Sequence, residues 1–308
     1  MKHTLFIILL LFPIALSAQP KKFLIVHTSD THSCIEPLSA NFTVASFANK
    51  GGYVRRISLF HQLREQYPDG MLAFDCGDFS QGSVYYNLFK GEVEVKLMNM
   101  MHYDAVTIGN HEFDFGLENM ARIFRMAEFP IVCCNYDFTG TPCEGLVKPY
   151  IVVERGGRKI GVFGVCPQPK GLIVGKNYEG MKYTSPAVAA QPVIDKLRKQ
   201  EKCDVVVCLS HLGWGDASDQ DKGFIARISG IDVLLGGHSH TYFKEPAYVN
   251  DKKGHEVFVD HEGKNACFVV NIEMEVESSR GSTRRNCRFL RPELSVPPCG
   301  TVASTMRN

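Results

Sequence analysis

The chain has 308 residues, of which 44% are hydrophobic and 22% are charged, and its formal net charge is +1. This balance is ordinary for a soluble globular protein. A charge so near zero gives no argument for a nucleic acid or an anionic membrane surface as partner, so any anionic ligand has to be held by a local site. The length is close to the limit for one hydrophobic core, and the absence of repeats and clear linkers favours one domain.

The N-terminus has the layout of a secretory signal peptide. Lys2 gives a basic start, an apolar stretch runs from Leu5 to Leu16, and the small residues Ser17 and Ala18 follow. The apolar stretch is too short to span a bilayer, which takes about 20 residues. We therefore expect residues 1–18 to be a signal peptide and residues 19–308 to form the mature domain, with a loosely packed tail after about residue 280. The protein is expected to be secreted, and periplasmic if its source is a Gram-negative bacterium.

Short β-rich runs alternate with amphipathic stretches, which is typical of an α/β domain. The predicted strands are near-continuous apolar runs, as expected where both faces of a sheet are covered. They lie at 22–29, 71–77, 105–110, 129–135, 159–166, 203–210, 232–237, 256–261 and 267–276. The predicted helices lie at 54–67, 93–101, 118–128, 187–200 and 221–229.

Five of the predicted strands lead into polar side chains that can bind metal or move protons. In chain order these are Asp30, His32, Asp78, Asn110, His111, His211, His238 and His240. Sites in open α/β sheets assemble at the loops after the carboxyl ends of strands, so these five exits can converge. No account based on core packing requires such residues at every exit. Carboxylate, imidazole and amide ligands without thiolate suit Mn, Fe, Zn or Co and do not choose among them.

The five exits also resemble a known family. The segments SDTH, GDFSQGS, GNHEFDFG, LSHLGWG and GGHSHT, in this order, are similar to the motif set of the calcineurin-like metallophosphoesterases, and most similar to its 5′-nucleotidase branch of secreted bacterial enzymes. The resemblance covers roughly residues 22–275. It implies a four-layer α/β/β/α sandwich that forms the catalytic domain, with a two-metal centre between the loops.

The resemblance also implies a role for each residue. Asp30, His32 and His240 are similar to the ligands of one metal ion, Asn110, His211 and His238 are similar to those of the other, and Asp78 is similar to the carboxylate that bridges both. His111 resembles a catalytic histidine that binds no metal and protonates the leaving oxygen, and Asp114 would orient its imidazole. Asn110 and His111 would also bind substrate. His240 is a departure, because nucleotidases of this branch often have Gln there.

The implied reaction is hydrolysis of phosphate monoesters, such as 5′-nucleotides or similar small phosphate esters, with His111 as general acid. Two divalent ions (Mn, Zn, Fe or Co) about 3.5–4 Å apart would lower the pKa of a shared water, giving a bridging hydroxide nucleophile, and would clamp the phosphoryl oxygens. One alternative is a phosphodiesterase acting on cyclic nucleotides or nucleotide sugars. Another is a non-catalytic, metal-stabilised subunit of a two-chain nucleotidase, although the His111–Asp114 pair argues against it.

A second departure concerns length. Family nucleotidases carry a second domain whose aromatic side chains stack on the base, and only 68 residues follow His240. We therefore expect weak base recognition by this chain unless residues around Trp214 or Tyr242 form a nucleoside pocket. A separately encoded C-terminal domain is a candidate partner.

Other polar residues have a structural interpretation. Asp75 is expected to accept local backbone hydrogen bonds, Glu112 to support neighbouring groups or cap a helix, and His261 to be structural. Trp214 is compatible with lining the cleft or covering the core. The chain has 11 cysteines, an odd number without zinc-finger spacing, which favours structural thiols. Disulfides are plausible only among Cys133, Cys134 and Cys143 and among Cys267, Cys287 and Cys299.

Overall fold

The computed structural model of the protein describes residues 21–45, 47–276, 289–290 and 293–295. The expected signal peptide, most of the tail after residue 280, and Cys287 and Cys299 lie outside these ranges. None of the helices in the described part of the chain is long and apolar enough to cross a membrane. The nine cysteines within the described ranges are free thiols, so the disulfides considered for Cys133, Cys134, Cys143 and Cys267 are not formed among these residues.

Strands and helices alternate along most of the chain. The strands are β1 (Lys21–Thr28), β2 (Met71–Asp75), β3 (Ala105–Val106), β4 (Ile131–Val132), β5 (Tyr136–Asp137), β6 (Val147–Lys148), β7 (Tyr150–Arg155), β8 (Arg158–Val165), β9 (Lys182–Tyr183), β10 (Val205–Ser210), β11 (Val233–Gly236), β12 (Ala247–Asn250), β13 (Glu256–His261), β14 (Phe268–Val276), β15 (Phe289–Leu290) and β16 (Glu293–Ser295). The α-helices are α1 (Tyr53–Gln66), α2 (Val84–Phe89), α3 (Glu92–Asn99), α4 (Gly116–Phe124), α5 (Pro186–Lys199) and α6 (Asp221–Ile225), and 3₁₀ turns span His111–Phe113 and Gly175–Tyr178.

The larger strands form two sheets. Within the described ranges, one sheet has the order β15-β14-β1-β2-β3-β4-β6, with β16 also paired to β14, and the other has the order β12-β13-β11-β10-β8-β7. In the first sheet β1, β2, β3 and β4 are parallel neighbours. In the second sheet β8, β10, β11 and β13 are parallel neighbours. The carboxyl ends of the strands in each parallel set therefore lie at one edge of that sheet.

Three apolar clusters separate four layers. Alternate residues of the first sheet, such as Ile25 and Phe74, pack against Val207 and Phe258 of the second sheet. The opposite face of the first sheet packs against helices α1, α3 and α4. The outer face of the second sheet packs against α5 and α6. The predicted α/β/β/α sandwich is therefore confirmed, and both faces of the central strands are covered, as their continuous apolar sequences indicate.

The predicted strands and helices are all present, and the differences have physical reasons. Strands β7 and β12 were not predicted; they are the two edge strands of the second sheet, and their residues are largely half-buried or exposed, although β7 contains an apolar run at 150–153. Helix α2 has only six residues, too few for helical periodicity, and it begins where the Ser83 hydroxyl accepts hydrogen bonds from the backbone amides of Tyr85 and Tyr86. Strand β3 ends after Val106, so most of the predicted run at 105–110 is loop.

The loops after β2 and β3 touch each other at two glycines. Gly77 has φ of +88°, and a Cβ there would lie 2.4 Å from the Gly109 nitrogen. A Cβ on Gly109 would lie 2.2 Å from Asp78 Oδ1. These distances are far below van der Waals contact, so both positions need glycine for the loops to meet.

We predict that Gly77→Ala lowers the free energy of unfolding far more than Gly171→Ala. Gly171 is the matched control, because its φ is +86° and no atom lies within 4 Å of an added Cβ. Positive φ costs an L-residue about 1–2 kcal/mol at either site. Only Gly77→Ala adds a steric clash, worth about 1–3 kcal/mol more. Urea unfolding of the two variants measures this difference, and equal destabilisation would contradict the contact between the loops.

Candidate active site

The polar strand exits converge on one place. Three overlapping groups of side chains each bring their ligand atoms within 4.8 Å of one another. The groups are Asp30 with His32 and His240, His32 with Asp78 and His111, and Asp78 with His211 and His238. Asp78 and His32 each belong to two groups, and of these two Asp78 is the carboxylate, the residue type that a bridging ligand requires. Six of the seven predicted metal ligands are therefore in contact range of a shared centre.

Asn110, the seventh predicted ligand, adjoins the same centre. It directly precedes the 3₁₀ turn His111–Phe113, and the backbone amide of His111 donates a 2.9 Å hydrogen bond to Asp78 Oδ1. The side-chain oxygen Oδ1 of Asn110 is buried and accepts no hydrogen bond from the described protein atoms. A buried acceptor without a donor is costly, so this oxygen fits a role as a metal ligand.

The pairing of His211 with Asp78 requires a cation. The Nδ1–H group of His211 donates to the Cys76 carbonyl at 2.6 Å, so Nε2 of the neutral ring carries the lone pair. That Nε2 lies 3.1 Å from Asp78 Oδ2, so two acceptors face each other. Burial lowers the pKa of His211, but the negative charge of Asp78 outweighs it and raises this pKa to about 10. The space between these atoms therefore favours a proton or a metal cation.

The other three predicted ligand histidines are held in the neutral form. Burial lowers the pKa of His32 and of His238 to about 4 each, and burial with the charge of Lys264 lowers the pKa of His240. Nε2 of His32 lies 2.8 Å from Nε2 of His240, and Asp30 Oδ1 lies 3.5 Å from the latter atom. Neutral imidazole is the form that binds metal. The donor set of carboxylates, imidazoles and an amide thus fits divalent transition metals.

Most of these ligands lie in an unusual backbone conformation. Positive φ angles occur at Asp30 (46°), His32 (46°), Asp78 (53°), His238 (73°) and His240 (54°). Non-glycine residues adopt this region at a cost of about 1–2 kcal/mol each. Such strain clusters at functional sites, where the surrounding structure holds it in place.

His111 and Asp114 form a pair at the edge of the cluster. Nδ1 of His111 lies 3.1 Å from Asp114 Oδ2, across one turn of the 3₁₀ segment, and this contact leaves Nε2 for another partner. Burial lowers the pKa of His111, but the hydrogen bond to Asp114 and the charge of Asp78 outweigh it and raise this pKa above its usual value. His111 is half-buried, so a proton on its ring can reach a ligand bound beside the cluster.

Glu112 holds the loops that present the site. It is buried, and its carboxylate accepts hydrogen bonds from the backbone amides of Gly109 (2.6 Å), Asp78 (3.0 Å) and Ser80 (3.1 Å). Burial and the charge of Asp78 raise the pKa of Glu112 to about 7, whereas these amides favour its ionised form. Glu112 therefore has the supporting position expected of it, because it accepts hydrogen bonds from backbone amides of two loops.

Asp75, His261 and Trp214 make contacts that fit a structural role. Asp75 accepts a 3.0 Å hydrogen bond from the Gly77 amide and a 2.6 Å bond from the Thr28 hydroxyl. His261 is buried, and its Nε2 lies 2.8 Å from Asp221 Oδ2. Trp214 packs against the rings of Phe243 and His261, so it covers the core.

Sequence reasoning missed two ionisable residues, Arg56 and Glu262, that are buried behind the first strand exit. Glu262 accepts a hydrogen bond from the Ser29 amide, and burial raises its pKa well above its usual value although the charge of the fully buried Arg56 opposes this shift. Arg56 lies on the buried face of α1 with Tyr53, Ile57 and Phe60. A charged residue within the apolar stripe of a predicted helix is the sequence signal that could have found Arg56.

A four-layer sandwich with clustered carboxylates and imidazoles at its strand exits is an architecture that metal-dependent phosphoesterases share, and the comparisons identify the family. A model of the calcineurin-like phosphoesterase family matches residues 23–242. The chain belongs to the calcineurin-like phosphoesterase family, as its five motifs predict.

Known proteins similar to this chain include nucleotidases. A 5′-nucleotidase from Rattus norvegicus is 31% identical over 238 residues, which are 75% of this chain and 40% of that protein. The crystal structure of a 5′-nucleotidase precursor from Thermus thermophilus superposes with a TM-score of 0.79 at 28% identity, over 89% of this chain and 54% of that chain. The calcineurin-like phosphoesterase YfkN from Bacillus subtilis gives a TM-score of 0.72 at 24% identity, over 90% and 92% of the two chains, and supports the fold. The chain spans about two fifths of the length of the curated 5′-nucleotidases it matches.

We predict that Glu112→Gln lowers the affinity for Mn²⁺ by about 10- to 100-fold although every predicted ligand remains. The amide NH₂ of Gln would face a backbone N–H where Glu112 now offers an acceptor oxygen, so the loops carrying Asp78 and Asn110 would shift. Glu118→Gln is the matched control, since it makes the same change at an exposed position on α4. Titration calorimetry with Mn²⁺ measures both variants. Equal affinities would show that Glu112 does not position the site.

Proposed function

We propose that residues 19–308 form a divalent-metal-dependent phosphoesterase domain that hydrolyses phosphate monoesters, with 5′-nucleotides or similar small phosphate esters as substrates. The observation that carries this proposal is the His111–Asp114 pair beside the ligand cluster, with Nδ1 of His111 held 3.1 Å from Asp114 Oδ2. A metal site that served stability alone would have no need of an adjacent proton donor. The layout of residues 1–18 supports export of this enzyme.

Two divalent ions fit the side chains of the cluster. Asp30, His32 and His240 would hold one ion, Asn110, His211 and His238 the other, and Asp78 both. When bound, such ions activate water as a nucleophile and neutralise charge on the phosphoryl oxygens. The facing acceptors of His211 and Asp78, 3.1 Å apart, support a cation at this place.

His111 would act on the leaving group. The hydrogen bond to Asp114 raises the pKa of His111, which stabilises the protonated ring, and Asp114 at Nδ1 orients the ring so that Nε2–H points away from that carboxylate. Nε2–H would donate its proton to the ester oxygen as the bond to phosphorus breaks, which spares the leaving group a negative charge. Asn110, one residue earlier, would contact the same phosphoryl group.

The names of the relatives support nucleotides as substrates. Similar proteins are named 5′-nucleotidase and apyrase, and one is a trifunctional nucleotide phosphoesterase. A phosphodiesterase of cyclic nucleotides or nucleotide sugars would use the same cluster and differ only in its pocket for the leaving group. A separately encoded C-terminal domain that binds the base, with this chain as catalytic or metal-stabilised subunit, stays a prediction.

We predict that Asp78→Asn removes most bound metal from both positions and nearly all activity, because one substitution takes a negative charge from two groups of ligands. Elemental analysis of the purified chain should find two ions per wild-type chain. Asp69→Asn makes the same change at an exposed position and should retain both. Two ions per Asp78→Asn chain would refute the bridging assignment.

We predict that His111→Ala keeps the metal content but slows nucleoside monophosphates by about 10²–10⁴-fold. An activated aryl phosphate should lose less, since its leaving group needs little protonation. Steady-state kinetics on adenosine monophosphate and an aryl phosphate measure the two effects. Equal losses would exclude leaving-group protonation, and loss of metal would make His111 a ligand.

Asp114→Asn provides a second readout of the same pair. A general acid is active below its pKa, so the rate falls as pH rises through the pKa of His111. Asp114 raises this pKa, so its replacement should move the alkaline limb of the kcat/KM profile to lower pH. If the alkaline limb of the kcat/KM profile did not move, that limb would belong to a titrating group other than His111.

A further inference from the structure

An apolar pocket adjoins the cavity at the ligand cluster. The cavity has a volume of about 530 Å³ and is lined by His32, His111 and His240 among others. The second pocket, of about 250 Å³, is lined by Phe42, Val44, Phe47 and Tyr242 on its apolar side. We call these four residues and the space between them the aromatic pocket.

The two spaces share a wall. His240, Lys264 and Asn265 line both of them. His240 is also a member of the ligand group with Asp30 and His32, so the aromatic pocket begins beside the predicted metal centre. A ligand with a phosphate at the cluster would therefore meet a cation, Lys264, and then an apolar surface.

The apolar side comes from two separate parts of the chain. Phe42, Val44 and Phe47 lie in the loop between β1 and α1, and Val44 is 46% exposed. Tyr242 comes from the segment after β11 and forms an antiparallel bridge with Glu262. Three aromatic rings and a valine around one small opening are typical of a surface that receives a flat apolar group.

We propose that the aromatic pocket binds the nucleobase of a nucleotide whose phosphate lies at the ligand cluster. The inference rests on the proposed phosphoesterase function and names the part of the substrate that this chain recognises by itself. The aromatic pocket is smaller than the roughly 300–1,000 Å³ of a pocket for a whole drug-sized ligand, so it suits one ring system of a longer molecule. Its continuity with the cluster at His240 favours the substrate over a partner polypeptide as occupant.

The chemistry of the lining also determines what kind of selectivity follows. Every base has a π-face, so stacking on aromatic rings favours a nucleotide over a phosphate ester without a base but distinguishes poorly between bases. Phe42, Val44 and Phe47 offer no hydrogen bonds to the edge of the base, so any such bond has to come from the Tyr242 hydroxyl or from the polar wall of His240, Lys264 and Asn265. The pocket therefore agrees with weak discrimination among nucleotides and adds a preference for nucleotides as a class.

Adenosine monophosphate and ribose 5-phosphate provide the test, because they share the reacting phosphate and the sugar and differ in the base. The ratio of their kcat/KM values should be about 10 or more for the wild-type chain with Mn²⁺. The double variant Phe42→Leu/Phe47→Leu keeps apolar side chains and removes two rings, and it should lower this ratio by at least about 5-fold, mainly through KM. Phe89→Leu is the matched control, since Phe89 is 48% exposed on α2 and lines neither space.

Each outcome decides the inference. A wild-type ratio near 1, or a ratio unchanged in the double variant, would overturn it while leaving the phosphoesterase function intact. Failure to hydrolyse either ester would defeat the proposed function instead. In that case, titration calorimetry of the two esters in the presence of Mn²⁺ tests the base site directly. Stronger binding of adenosine monophosphate that is lost in Phe42→Leu/Phe47→Leu would support the base site, and equal binding of the two esters would overturn it. Thermal unfolding of each variant excludes loss of the fold as the cause.

Discussion

Two buried carboxylates, Asp30 and Asp78, share a small volume with imidazoles, and this crowding of acceptors is the constraint on which the rest of the structure depends. Burial, with a smaller contribution from the charge of Asp78, raises the pKa of Asp30 to about 7 against the opposing effect of His211, so an uncompensated negative charge is unfavourable in this volume. The sandwich accommodates this volume at its edge, where parallel strands of both sheets end together. The core could not, because an unpaired buried charge is expensive.

The cost of presenting these ligands is partly conformational. Five of the seven predicted ligands have positive φ, at about 1–2 kcal/mol each, and two glycines allow the loops carrying Asp78 and Asn110 to touch. A domain with roughly 5–15 kcal/mol of total stability can carry such strain only if packing elsewhere opposes it. The three apolar clusters and the hydrogen bonds of Glu112 with backbone amides oppose this strain. Metal ions that bind only the folded chain would stabilise it further, because binding shifts the folding equilibrium by mass action.

The sequence predicted those features that local chemistry determines. Continuous apolar runs identified the central strands, since both faces of β2, β10 and β11 are covered. Polar residues at the ends of these runs identified the side chains that the structure brings together at the cluster, because parallel strands bring their carboxyl ends together. The edge strands β7 and β12 were missed, although residues 150–153 of β7 form an apolar run.

Other features depend on contacts between distant segments, which no local pattern contains. Positive φ at His238 or Asp30 could not be read from the sequence, since it occurs here without glycine. Glu112 has the residue type of an ordinary cap, and only the meeting of two loops gives it three backbone partners. The aromatic pocket brings together Phe42 and Tyr242, which lie 200 positions apart, and Phe42 belongs to a loop whose sequence has no periodicity.

The electrostatics of the site separate its histidines into two functions. Burial keeps His32, His238 and His240 neutral and available to metal, whereas carboxylates raise the pKa of His111 and His211. Of the latter two, His211 is fully buried, with Nδ1 on the Cys76 carbonyl and Nε2 facing Asp78, so its proton has no route to a substrate. His111 uses only Nδ1 on Asp114, and it lines the cavity. Geometry and charge together therefore favour His111 over the other histidines of the cluster as the group that delivers a proton.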